Sequence, residues 1–170
     1  SFGQPVTEVV DLCEAISAYV ERAAQKLRAQ RSLAGGLYVF LRTNPFDPNA
    51  AQFSANHHVS FGIPTDDTRL ISDLAVQVIK HLFKPGFVYK KAGVMLSGLV
   101  PDSSIQGNLF IPETKNNSRL LMDMIDNINF SQRDDVLKFA ASGTTRDWKM
   151  RQELRSPRYT TRWKELYEVH

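Results

Sequence analysis

The chain has one cysteine, Cys13, in 170 residues. That excludes an internal disulfide. No histidine or basic residue stands close to Cys13 in sequence, so it reads as a structural thiol in a reducing, cytosolic setting. Long hydrophobic runs are also missing. No stretch approaches the ~18 apolar residues that a membrane-spanning helix needs, and no signal-peptide pattern is visible. Charge of one sign is scarce: 21 Lys+Arg against 18 Asp+Glu leave a net charge of +3. Such a balance permits a polyanion partner without demanding one. The surplus is uneven, because residues 1–110 are nearly neutral and residues 146–170 form the basic end.

Constellations for catalysis or metal binding are lacking as well. His57 and His58 are neighbours on a strand pattern, and neighbouring strand residues point to opposite faces, so the two cannot hold one ion together. Asp66-Asp67 sits where a helix cap belongs. Asp134-Asp135 has no metal-ligand company. There is no phosphate-cradling glycine loop and no Ser-His-Asp set. No catalytic residue and no metal ligand is assigned.

A hydrophobic content of 42% suits a soluble globular protein long enough for a real core. The opening Ser1-Phe2-Gly3 has no methionine and reads as the inside of a strand, so a piece of a larger protein is expected. Residues 1–6 read as a short strand. Asp11 and Glu14 make a capping box for a helix running to about Arg31, with Leu12, Ile16, Val20, Ala24 and Leu27 at helical spacing. Gly35-Gly36 breaks the chain, and 37–43 is the next strand. In 53–63, Phe53, Ala55, His57, Val59, Phe61 and Ile63 share one parity, and Ser54, Asn56, His58 and Ser60 the other. That is a half-buried strand with one wet face and His57 at the core edge. Thr65-Asp66-Asp67 caps a second helix, with a stripe from Leu70 to Phe83, and 87–97 is the last strand.

The order β-α-β-β-α-β gives an α+β fold. Two helices, each with one apolar stripe, cover one face of a four-stranded sheet, and the other face is left to water or a partner. Beyond it, 118–128 has helical spacing, 136–141 is a short strand candidate and 147–154 a short amphipathic helix. This small, mostly helical C-terminal extension is too polar for its own core and is expected to dock on the first domain or stay partly mobile. The expected domains are 1–100, a linker at 101–117 and the extension at 118–170.

Two features carry function. A free sheet face would show Ser54, Asn56, His58 and Ser60, Arg42 if its parity matches, and Lys90 or Lys91, with Ser1, Gly3 and Gln4 from the first strand. Small polar residues, glycine and lysine suit phosphate contacts, although an ordinary solvated face has the same look. The second feature is Gln106-Gly107-Asn108-Leu109-Phe110, set among proline and serine. An amide followed by two large hydrophobes on an extended segment suits capture by a pocket on another protein, unless the pair folds back onto its own domain.

The chain resembles the little finger of the Y-family lesion-bypass DNA polymerases, and over its whole length the UmuC-like branch. The carrying segments are Ser1-Phe2-Gly3 with Pro5-Val6-Thr7, Glu21 to Arg28, Pro64 to Arg69, Tyr89 to Leu96, and Ser156 to Trp163, with Trp148-Lys149-Met150 before the last. The resemblance implies an open sheet face that holds template and primer backbones without sequence readout. DNA contacts are then expected from Ser1, Phe2, Gly3, Gln4, Arg42, His58, Ser60, Lys90 and Lys91. Met95 stands where some relatives carry a basic residue.

The pentapeptide resembles the sliding-clamp motif of bacterial polymerases, with Gln106, Leu109 and Phe110 matching. Gly107 replaces a leucine, which predicts weaker affinity rather than a lost site. The resemblance also implies a parent polymerase of the SOS response, cytoplasmic and nucleoid-associated. Its catalytic carboxylates and Mg2+ would belong to a palm outside this chain, and no cofactor is expected here. The implied partners are template-primer DNA, the β sliding clamp, a cleaved UmuD dimer and RecA, with the basic tail a candidate surface for the last two. The other reading is a ferredoxin-like protein–protein adaptor that never touches nucleic acid.

Overall fold

The computed structural model describes residues 1–104, 118–132, 136–150, 156–160 and 162–166. Helix α1 (Val9–Ala29) forms because Leu12, Ile16, Val20, Ala24 and Leu27 repeat on one face, and all five are buried. It ends where Arg31 turns left-handed at φ 52°. The expected capping box does not form. Glu8 occupies the cap position without a side-chain capping bond, Asp11 lies inside the first turn, and the Glu14 carboxylate instead accepts a hydrogen bond from Trp148.

Strands β1 (Ser32–Thr43) and β2 (Ser54–Thr65) pair antiparallel, helix α2 (Thr68–Leu82) follows, and β3 (Tyr89–Pro101) pairs antiparallel with the other side of β1. The order is β2-β1-β3. The N-terminal segment adds a short fourth edge beside β3. It bridges Val6 to Tyr89, and the Phe2 N–H donates to the Lys90 carbonyl at 2.9 Å. The fold is the expected α+β arrangement with both helices on one face. Leu12, Ile16 and Val20 of α1 and Ile71, Ala75 and Ile79 of α2 meet Leu37, Val39, Leu41 and Ala92 of the sheet. Each fully buried Leu or Ile contributes about 2 kcal/mol.

Close contacts shape both ends of the sheet. Gly35-Gly36 does not break the chain but lies within β1. A Cβ on Gly35 would sit 3.0 Å from the Gly98 carbonyl, and Gly98 itself has φ +60°. Here the two strands approach too closely for side chains, and the β1–β2 register shifts between Ala34 and Gly36. At the other end, the fully buried Tyr89 donates its phenol to the Lys84 carbonyl (2.8 Å) and accepts from the Lys84 N–H (2.9 Å). That satisfies the polar tip of a core residue.

In the extension, helix α3 (Ser118–Gln132) is present. No strand forms in the described part, 136–141, of the next expected element; a short 3-10 turn, Ala140–Ser142, stands at its end. Residues 147–150 make a turn rather than the start of a helix, and 151–154 lie outside the described residues.

Candidate nucleic-acid interface

The register of the sheet decides which side chains share the free face. Residues directly opposite one another in an antiparallel pair lie on the same face. Across β2, β1 and β3 the rows are Ser60–Gly36–Ser97, His58–Tyr38–Met95, Asn56–Phe40–Gly93 and Ser54–Arg42–Lys91. The parity of Arg42 therefore does match. Arg42 and Lys91 stand side by side at one end, with Ser54 completing the row. Lys90 falls at the register shift between Arg42 and Thr43, and its side chain is exposed.

Glycines shape this face. A Cβ on Gly93 would lie 2.6 Å from the Phe40 ring, so the missing side chain is what lets that ring lie against β3. The Lys91 ammonium stands 5.9 Å from the centre of the same ring, and the Tyr38 ring lies 6.3 Å from it. A Cβ on Gly36 would fall 2.9 Å from Ser97 Oγ and 3.0 Å from His58 Nε2. With no side chain there, His58 and Ser97 hydrogen-bond across the central strand at 3.0 Å. The face is more apolar at its centre than the polar β2 residues suggest, and Met95 is 56% exposed.

The electrostatics are one-sided. None of the 18 Asp and Glu residues falls in the N-terminal segment or in any of the three strands, which hold Arg42, Lys90, Lys91, His57 and His58. Among the described residues, the Arg42 and Lys90 side chains have no ion-pair partner. His57 lies on the helix-side parity, opposite Val39, and is exposed because β2 is an edge strand.

The first strand behaves differently from a row of free phosphate donors. Phe2 is 1% exposed, with its ring edge-on to Trp148 at 6.4 Å. Its N–H is taken by Lys90, and the Gly3 N–H donates to the Trp148 carbonyl at 3.0 Å. The Phe2 side chain thus belongs to the core, while of the expected contacts at this edge Ser1, Gly3 and Gln4 are exposed. Gln106, Leu109 and Phe110 lie outside the described residues.

The acidic pair is structural. Asp67 caps α2 by accepting from the Arg69 N–H at 2.9 Å, and it also accepts from Ser118 and Arg69 side chains. Burial pushes its carboxyl up, but those hydrogen bonds outweigh burial and hold it below the usual carboxylate range. Burial lifts Asp66 above that range despite Arg119 at 3.3 Å and Arg28 nearby. These carboxylates serve a helix cap and arginines, so they do not fit a metal centre, and no group of three or more metal-ligating side chains gathers among the described residues. Burial also raises the Cys13 thiol, which Lys80 only partly offsets, so Cys13 is no activated nucleophile. No helix among the described residues is long and apolar enough to cross a membrane.

Comparison with known proteins matches residues 1–109 to the impB/mucB/samB family C-terminal domain. The chain belongs to that family. Residues 119–169 match a second family, described as a domain of unknown function. Protein UmuC of Salmonella typhimurium strain LT2 is 35% identical over 170 residues, which is 99% of this chain and 40% of the relative. Protein ImpB of Salmonella typhimurium is 35% identical and Protein MucB of Escherichia coli 32% identical, each over 167 residues, 98% of this chain and 39% of the relative. The family's C-terminal domain thus supplies the sheet and its free face. The chain spans about 40% of the length of the curated relatives it matches.

Proposed function

We propose that this chain is the DNA-gripping and clamp-tethering portion of a UmuC-type lesion-bypass polymerase, whose nucleotidyl transfer is carried by the part of the parent outside it. The observation that carries the reading is the carboxylate-free sheet. Its open face holds the Arg42–Lys91 row with Lys90 beside it, and nothing on the strands competes for those cations. A flat face of small polar groups, rings and unpaired cations suits the phosphate backbone, and it offers little that would read base edges. Family membership points the same way. Arg42, His58, Ser60, Lys90 and Lys91 are the contacts on the sheet, and Ser1, Gly3 and Gln4 border them. Phe2 supports the edge from the core side.

The test is salt-dependent binding of primed duplex by the 170-residue chain. Lys90→Ala/Lys91→Ala should lower the slope of log affinity against log salt by about 2, because roughly one counterion is released per phosphate contact. Wild-type protein with no affinity even at low salt would favour the adaptor reading instead.

Gln106, Leu109 and Phe110 are the clamp tether in this reading, with the Leu-Phe pair filling the pocket and Gly107 weakening the grip. Equal clamp affinity for wild type and Leu109→Ala/Phe110→Ala would end that part. The cleaved UmuD dimer and RecA are further partners of the parent; a 1–112 truncation that still captured both would remove the tail as their surface.

A further inference from the structure

Besides its cations, the free face carries a pair of rings. Tyr38 and Phe40 follow each other on one side of β1, the central strand, and Arg42 comes next on the same side. Two residues of strand separate each from the next, roughly 7 Å. Neither ring belongs to the core cluster beneath the helices, and both are only half-buried. Their centres lie 6.3 Å apart with 36° between the planes.

The surface around the rings is low. Gly36, the position before Tyr38 on this face, has only Ser60 and Ser97 beside it, and Phe40 has Asn56 and Gly93. Such small neighbours leave room for another planar group over the rings. His58, beside Tyr38, is held by Ser97 at 3.0 Å. Met95 on the other side of Tyr38 is 56% exposed, and Leu99, on the same face opposite Ala34, is 50% exposed. The face thus has an aromatic and apolar middle and a cationic end, where Lys91 stands 5.9 Å from the centre of the Phe40 ring.

We propose that this middle is a stacking platform for unpaired nucleobases, with Tyr38 as its principal ring and Phe40 beside it. The proposal rests on the DNA reading of the sheet face and narrows its ligand to a single-stranded stretch. A base has two flat faces that a ring can cover, whatever its identity, and bases inside a duplex are already stacked. The bases of an extended strand would lie on Tyr38 and Phe40 while its phosphates run to Arg42 and Lys91. An apolar protein segment would also cover the rings. The strands, however, hold cations and no carboxylate, and that charge complements a polyanion. Stacking of this kind adds affinity without sequence readout.

The experiment measures binding of the full 170-residue chain to three probes, with circular dichroism to confirm folding. They are a short oligothymidine strand, the same strand with every base removed to leave abasic sugars, and a blunt duplex. Wild type should bind oligothymidine about tenfold more tightly than the abasic strand. Tyr38→Leu should lose about tenfold on oligothymidine with its salt slope unchanged, and stay within about twofold on the abasic strand and the duplex. Tyr38→Phe, which keeps the ring, should bind as wild type does. Equal affinity of wild type for the base-bearing and abasic strands, or no effect of Tyr38→Leu, would overturn the proposal. Lys90→Ala/Lys91→Ala tests the DNA reading separately, and should lower the salt slope by about 1.4 on single strands and about 2 on duplex. If those losses appear while Tyr38→Leu is silent, the DNA reading stands and the platform falls. If wild type shows no salt-dependent affinity for any probe, both fall.

Discussion

The helix side and the free sheet face use their cations in opposite ways. On the helix side, arginines are matched to carboxylates. Arg28, 8% exposed, binds Asp126 through two bonds of 2.6 and 2.9 Å and also donates to the Asp66 carbonyl and Thr68 Oγ1, each at 2.8 Å. Arg119 spans Asp66 at 3.3 Å and Asp102 at 2.8 Å, and Arg69 reaches Asp67 and Ser118. Guanidinium forks suit such bidentate pairs. These contacts fasten α3 and its flanks to α1 and α2. On the sheet face, by contrast, Arg42, Lys90 and Lys91 meet no carboxylate among the described residues. One face is closed by charge and the other is left open to charge.

The largest expected effect breaks the closed side. Arg28→Ala removes one partner of a buried pair and leaves Asp126 and the Asp66 carbonyl without a donor, which should cost about 3 kcal/mol. Urea unfolding measures it. Duplex affinity of the remaining folded protein should stay at wild-type level, because the cations of the free face are untouched. A matching loss of affinity would mean that the two faces are not independent.

A smaller effect breaks the open side. Gly93→Ala puts a methyl group into the Phe40 ring, which must lift away from β3. The expected cost is about 1–2 kcal/mol of stability. Because Lys91 lies over that ring, a severalfold loss of duplex affinity should come with it. Unchanged affinity would show that the ring is only packing and does not place the lysine.

Much of this contrast was legible in the sequence. Period-2 alternation put Ser54, Asn56, His58 and Ser60 on one face, whereas the sheet register was needed to set Arg42 and Lys91 beside them and to leave Lys90 at the register shift. Helical spacing found α1, α2 and α3. The failures share a cause, which is that the partner lies far along the chain. Gly35-Gly36 looks like a break until Gly98 is seen opposite. Asp11 and Glu14 look like a cap until Trp148 takes the Glu14 carboxylate. Phe2 reads as part of a binding strand, yet Trp148 completes a core around it. Helix α3 shows this most clearly. Of the apolar residues at helical spacing, Leu121, Met124 and Ile128 are exposed and Ile125 is only half-buried. The helix docks instead through Ser118, Met122 and Asp126, whose partners Asp67 and Arg28 no periodicity announces.

The smallest effect sharpens the comparison by titrating the closed side alone. Asp67 and Asp66 are neighbours with opposite shifts. Asp67 titrates below its ordinary value in the folded state, so its contribution is present above about pH 4 and is lost as pH falls through the lowered folded value. Asp66 is raised, so its ionised form disfavours the fold. That penalty is relieved as pH falls through the raised value toward the ordinary one. Stability should therefore rise slightly on mild acidification and then drop. Asp66→Asn should remove the rise, and Asp67→Asn the part of the drop due to Asp67, at a cost of about 1 kcal/mol at neutral pH from the weakened charge-assisted bonds to Ser118 and Arg69. Urea midpoints from pH 7 to pH 3 measure both. A profile unchanged in either variant would show that the closed side is held by its arginines and packing alone, with the α2 cap contributing no pH-dependent share.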